Sequence, residues 1–246
     1  MRSTLRKASG NPDAFNISKP VCAMPRQSLE CVIFDMDGTI TRTNRLIFDA
    51  FNHIVEIYKG ERWTDAQISA LFGPPEEGAL ATVVGQDRVD EAMRSYLAFY
   101  REHHAELASV YKGMPEILHE LKSSGVKLAL FTGKGRHTTA ITLEVCGLGK
   151  YFDKVVTGND VMLHKPSGEG IRSIMHDLGV TQEGTFMVGD AVADILAARE
   201  AGIRIASVLW DSYGRERVLR EQRDLTFESV EEFGAWAIAA ARKKGS

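Results

Sequence analysis

A short apolar run, Cys31-Val32-Ile33-Phe34, stops at Asp35 and is followed by Met36-Asp37-Gly38-Thr39. An unbroken apolar run of this length suits a strand buried on both faces. Such a strand, ending at an aspartate, delivers a carboxylate to the open end of a parallel sheet, where ligands bind. Asp35 therefore reads as a nucleophile. Three other segments carry polar groups at or just past expected strand ends: Phe131-Thr132-Gly133, His164-Lys165-Pro166, and Gly189-Asp190 with Asp194 four residues on. In a parallel sheet these ends converge on one crevice. Three carboxylates gathered there raise one another's pKa unless a cation joins them. An all-oxygen donor set with an open position suits Mg²⁺.

Each group also has a blander role. Asp-x-Asp-Gly alone is an acidic turn after a strand. Thr132 can be a strand-end hydroxyl without a ligand, and Lys165 a solvated surface lysine. Asp194 can simply favour a helix dipole. Lys134 and Arg136, just after the second strand, read equally as substrate contacts and as solvated residues at a helix start, and stay outside the candidate site. His103-His104 has no partner at metal spacing and reads as a solvated helix face.

To bring these groups together the chain must alternate strands with helices. It does so from residue 112 onward. Strands are expected over 127–132, 153–157, 185–188 and 203–209, separated by helices over 116–123, 136–145, 170–178 and 191–201. With the first strand over 29–35 this makes a Rossmann-like α/β fold: a parallel five-stranded sheet flanked by helices and joined by right-handed crossovers. Between the first strand and the rest the pattern differs. Leu46, Ile47, Ala50, Phe51, Ile54, Val55 and Tyr58 recur at helical spacing. Further helices are expected over 64–72, 76–84 and 89–109, with no strand signal. Residues 44–110 thus read as a small α-helical cap inserted into a core made of 29–43 and 111–246.

The remaining features set bounds. At 246 residues, with 44% hydrophobic and 26% charged residues, the chain has an ordinary globular composition. A net charge of −3 argues against a nucleic-acid-binding surface. No apolar run approaches the roughly 20 residues of a membrane span. Cys22, Cys31 and Cys146 are odd in number and lack metal-type spacing, as expected of reduced thiols in a cytoplasmic protein. Residues 1–28 are basic, lack the apolar stretch of a secretory signal, and read as a loose extension, with Met24 as an alternative start.

Asp35-Met36-Asp37-Gly38-Thr39, Thr132, Lys165 and Gly189-Asp190 with Asp194 together resemble the four motifs of the haloacid dehalogenase superfamily. The resemblance covers nearly all of 29–240, the inserted helices included. It implies that Asp35 attacks phosphorus and forms an aspartyl-phosphate. It implies that Asp37 protonates the leaving oxygen and then deprotonates the hydrolytic water. Mg²⁺ would be held by Asp35, the Asp37 carbonyl and Asp190, with Asp194 in support. Thr132, Lys165 and the backbone near Gly133 would hold the phosphoryl oxygens. An Asp two residues after the nucleophile marks phosphatases and phosphomutases of the superfamily, not its dehalogenases. After Lys165-Pro166 relatives usually carry a further Pro and an acid; here Ser167-Gly168-Glu169-Gly170 follows, which implies a looser helix start.

The helical cap is similar to that of the phosphoglycolate-phosphatase-like branch. Leu71-Phe72-Gly73-Pro74, the stretch from Tyr96 to His104, and Trp210 with Gly214-Arg215 resemble the bacterial inorganic pyrophosphatase of this fold. The expected substrate is a small phosphorylated metabolite, phosphoglycolate-like, with pyrophosphate as the alternative. A sugar phosphate, a mutase reaction or a non-catalytic binding role ranks lower. Neither nucleic acid nor membrane is an expected partner, and the chain is expected to be a monomer or homodimer. Gly73, Pro74 and Glu77 are candidates, by position, for selecting the leaving group.

Overall fold

The first apolar run forms β1 (Cys31–Phe34), every residue of it buried. The structure is a computed structural model that describes residues 29–212 and 214–242. The extension expected over 1–28, with Cys22, lies outside the described residues. After β1 the chain makes β2 (Thr41–Arg42) and enters four helices: α1 (Asn44–Lys59), α2 (Asp65–Ser69), α3 (Glu76–Val84) and α4 (Val89–Leu107). The apolar stripe of α1 is buried as its spacing predicts. Thr64 and Gln67 cap α2 reciprocally. One hydrophobic cluster holds the helices together around Leu46, Ile54, Leu80, Ala92, Tyr96 and Tyr100.

The chain then returns through β3 (Ser109–Val110), which pairs antiparallel with β2. Both connections to the helical unit therefore run through one two-stranded ribbon. The reading of 44–110 as wholly helical missed it, because two residues are too few to show a period.

The α/β part continues with α5 (Met114–Ser123), β4 (Lys127–Phe131), α6 (Arg136–Val145), β5 (Lys154–Val156), α7 (Glu169–Leu178), β6 (Thr185–Gly189), α8 (Val192–Ala201), β7 (Arg204–Val208), α9 (Arg215–Arg220), β8 (Leu225–Phe227) and α10 (Val230–Arg242). The main sheet is parallel, in the order β5-β4-β1-β6-β7-β8. It has six strands where five were expected. The sixth, β8, is a three-residue edge strand, too short to stand out in the sequence.

Successive residues of β1 face opposite sides. Val32 and Phe34 join a core with Leu118, Leu130, Phe233 and Trp236, under α5 and α10. Cys31 and Ile33 join another with Phe131, Ile171, Ile174 and Ala198, under α7 and α8. Burial on both faces explains why β1 is apolar without alternation. It also encloses the Cys31 thiol, whose pKa burial pushes up to about 12. Among the described residues no helix is long and apolar enough to cross a membrane.

Candidate active site

β1 and β6 are hydrogen-bonded neighbours, and Asp35 and Asp190 directly follow them. Asp194 lies in the first turn of α8. The carboxylates of Asp35, Asp190 and Asp194 each place an oxygen within 4.8 Å of the others. The Lys165 ammonium donates to Asp35 Oδ1 at 2.7 Å and to Asp194 Oδ1 at 2.7 Å. Asp194 Oδ2 also accepts the Ala191 N–H at 3.0 Å. Asp194 therefore fixes both the loop after β6 and the lysine beside Asp35. Two close approaches make this packing possible. A Cβ at Gly189 would stand 2.4 Å from the Asp194 carboxylate, and one at Gly38 would stand 2.6 Å from Asp190 Oδ2. Gly38 also has φ +83°, which disfavours any other residue.

The electrostatics follow from burial and like charge. Burial raises Asp35 to about 7, with Asp194 adding to the rise and Lys165 opposing it. Burial, then Asp35 and Asp194, push Asp190 well above the carboxylate range, although the Thr39 hydroxyl donates to it at 3.2 Å. Burial alone would lower Lys165, but Asp194 and Asp35 more than offset it and hold the ammonium charged. Three buried carboxylates against one ammonium leave a surplus of negative charge made only of oxygen donors. This donor set fits a hard divalent cation such as Mg²⁺.

Asp37 stands beside this cluster. Its Oδ1 accepts from the Thr43 hydroxyl, which immediately precedes α1. Its Oδ2 accepts from Lys134 Nζ at 3.2 Å. Thr132, just past β4, is buried, and its hydroxyl accepts the Lys134 N–H at 3.2 Å. Thr132, Gly133, Lys165 and the acids line one cavity of about 460 Å³. The structure thus brings Asp35, Asp37, Thr132, Gly133, Lys165, Asp190 and Asp194 to a single cavity.

The helical unit closes the other side. Its lining residues include Asn44, Ile47, Phe51, Ser69, Leu71, Phe72, Gly73 and Pro74, with no lysine, arginine or histidine among them. Arg217 lies at the cavity edge and is exposed.

Lys134, left outside the candidate site above, has only 2% of its side chain exposed. Glu77 is a candidate above by position, and Glu76 is not. Glu76 is the acid that is buried, receiving the Gly135 N–H and the Thr138 hydroxyl, each at 2.6 Å. His104 is likewise buried, bonded to the Thr142 hydroxyl at 3.1 Å, not on a solvated face. These corrections share one cause: each side chain is covered by the other unit, and such contacts leave no local period. The start of α7 is also firmly tied. Gly168 N–H donates to Glu200 at 3.1 Å, and the Glu169 carboxylate takes the Met162 and Leu163 N–H groups, each at 2.9 Å.

A family model described as haloacid dehalogenase-like hydrolase matches residues 32–208. A pyrophosphatase PpaX from Anoxybacillus flavithermus is 34% identical over 82% of this chain and 94% of its own. Among solved structures, a predicted phosphoglycolate phosphatase from Haemophilus somnus aligns with a TM-score of 0.72 at 18% identity, covering 85% of this chain and 97% of that one. CbbY from Rhodobacter sphaeroides, in complex with phosphate, aligns at 0.72 and 21% identity, covering 84% and 96%. These last two establish likeness of fold.

Proposed function

As the chain belongs to the haloacid dehalogenase-like hydrolase family, we propose that it hydrolyses a small phosphomonoester through an aspartyl-phosphate on Asp35. The observation that carries this reading is the Asp35–Lys165–Asp194 array beside Asp190, with Asp37 held at the same cavity. Asp35 Oδ bonds to phosphorus as the bond to the leaving oxygen breaks, and Asp37 gives that oxygen a proton. Water then attacks phosphorus, the acyl-phosphate bond breaks, Asp37 takes the water's proton, and inorganic phosphate leaves. Lys165, the Thr132 hydroxyl and the backbone at Gly133 hold the phosphoryl oxygens. Asp35, the Asp37 carbonyl and Asp190 would hold Mg²⁺, supported by Asp194. When bound there, the ion supplies positive charge that lets a carboxylate approach a phosphate dianion.

A second reading is hydrolysis of inorganic pyrophosphate. It is favoured by the name of the 34% identical relative. The apolar cap-side lining, with Ile47, Phe51, Leu71 and Phe72, favours a monoester whose leaving group has an apolar face.

The test is a panel of phosphoglycolate, pyrophosphate and sugar phosphates with Mg²⁺, compared by kcat/KM, together with acid-quench trapping of the phosphorylated protein. Asp37→Asn is expected to accumulate phosphate on Asp35, and Asp35→Asn to be inactive while folded. Near-wild-type turnover by Asp35→Asn would mean another nucleophile.

A further inference from the structure

The Lys134 side chain is only 2% exposed and is enclosed where the two units meet. Its ammonium touches both units of the protein. It donates to Asp37 Oδ2 at 3.2 Å and sits 4.8 Å from the centroid of the Tyr100 ring on α4. The Tyr100 hydroxyl is in turn bonded to Thr142 of α6 at 3.0 Å. The Lys134 backbone is pinned by its N–H bond to Thr132. An ammonium fixed at both ends in this way, at the wall of the cavity, sets where Asp37 points.

We propose that Lys134 is a positioning residue for the proton transfer to the leaving group, holding the Asp37 carboxylate between itself and Thr43 while the helical unit supplies the ring above it. This rests on the reading of Asp35 as nucleophile and Asp37 as proton donor. Removing one member of a buried charge pair is disruptive, whereas a cation over an aromatic face in a dry site is retained at little cost. The Asp37 carboxylate of a Lys134 variant would keep only the Thr43 hydroxyl and lose its fixed aim. A misaimed donor slows departure of a poor leaving group far more than departure of a good one.

The experiment compares kcat/KM for an alkyl phosphate and for p-nitrophenyl phosphate, in wild type, Lys134→Met, Asp37→Asn and the double variant, with thermal melting to check the fold. Lys134→Met is expected to lose about 100-fold on the alkyl ester and less than about 10-fold on the nitrophenyl ester. The double variant should be no slower than Asp37→Asn alone, since both changes disable one device. Equal losses on the two esters, with effects that multiply in the double variant, would overturn the proposal. If Asp37→Asn itself shows no dependence on the leaving group, the assignment of Asp37 fails instead, and the two failures are distinguishable. If the methionine variant does not fold, Lys134→Gln, which keeps a hydrogen-bond donor, carries the same comparison.

Discussion

The Glu76 carboxylate, in the first turn of α3, accepts a 2.6 Å hydrogen bond from the Thr138 hydroxyl of α6. Its other oxygen takes the Gly135 N–H at the start of the same helix, where a negative charge is also favoured by the helix dipole. This contact ties the helical unit to the α/β unit. Glu76→Ala strands the buried Gly135 amide and leaves the Thr138 hydroxyl only its bond to the Gly135 carbonyl, which is expected to cost about 1–3 kcal/mol in urea unfolding. It should also speed proteolytic cleavage at the β2–β3 ribbon, the connection that bends if the units part. Glu76→Gln keeps an acceptor and should lose less. A wild-type cleavage rate in the alanine variant would show that the contact does not hold the units together.

The carboxylate cluster gives a metal prediction. Asp35 is driven up in pKa by burial and by Asp194 and Asp37, and Asp190 by burial and by Asp35 and Asp194. Mg²⁺ should therefore raise the melting temperature, and excess chelator should abolish turnover. Asp190→Asn is expected to melt higher than wild type without metal, to show no further rise with Mg²⁺, and to be inactive. Strong activity in excess chelator, or an undiminished Mg²⁺ response in this variant, would rule out the cluster as the ion's site.

Most of the α/β unit was legible because its strands are buried on two faces and its helices on one. Cys31–Phe34 reads as a central strand for the same reason that it is one: both faces are covered. Asp35, Thr132, Lys165 and Asp190 were legible because sheet topology, rather than any local contact, assembles them. Lys134, Glu76 and His104 were not. Each is polar, lies on an ordinary helix or loop, and is buried only because the other unit packs on it. The ribbon of Thr41–Arg42 with Ser109–Val110 was missed for a related reason: its pairing spans nearly seventy residues and its strands have two residues each.

His104 is expected to make stability depend on pH. Burial, with Lys134 nearby, lowers its pKa below 6.5. The unfolded chain then takes up a proton that the folded chain resists. Stability from this group is complete at neutral pH and is lost as pH falls through about 6.5, at up to ~1.4 kcal/mol per pH unit for one proton. Thr142 and Tyr100, the groups against His104, do not titrate in this range. His104→Gln should therefore flatten the fall in unfolding free energy between pH 7 and pH 5. An unchanged slope would show that other groups set it.

The cap-side wall should select the leaving group without touching the phosphate site. Leu71 is partly buried, packs against the helical cluster and lines the cavity. The groups proposed to hold phosphate all belong to the α/β unit. A leaving group with an apolar face would bury that face on Leu71, and truncation of an apolar contact of this size is worth about 1–3 kcal/mol in discrimination. Leu71→Ala is thus expected to lower kcat/KM for such a monoester by roughly 5- to 100-fold. Inhibition by inorganic phosphate, which needs only Lys165, Thr132 and the metal site, should be unchanged. Hydrolysis of pyrophosphate should also hardly move, because its leaving group has no apolar face to lose. If pyrophosphate turnover falls as far as monoester turnover, Leu71 acts by shaping the cavity as a whole and the wall does not discriminate. If the monoesters are unaffected while pyrophosphate remains the faster substrate, the wall is not in contact with the leaving group, and pyrophosphate hydrolysis becomes the better account of the site.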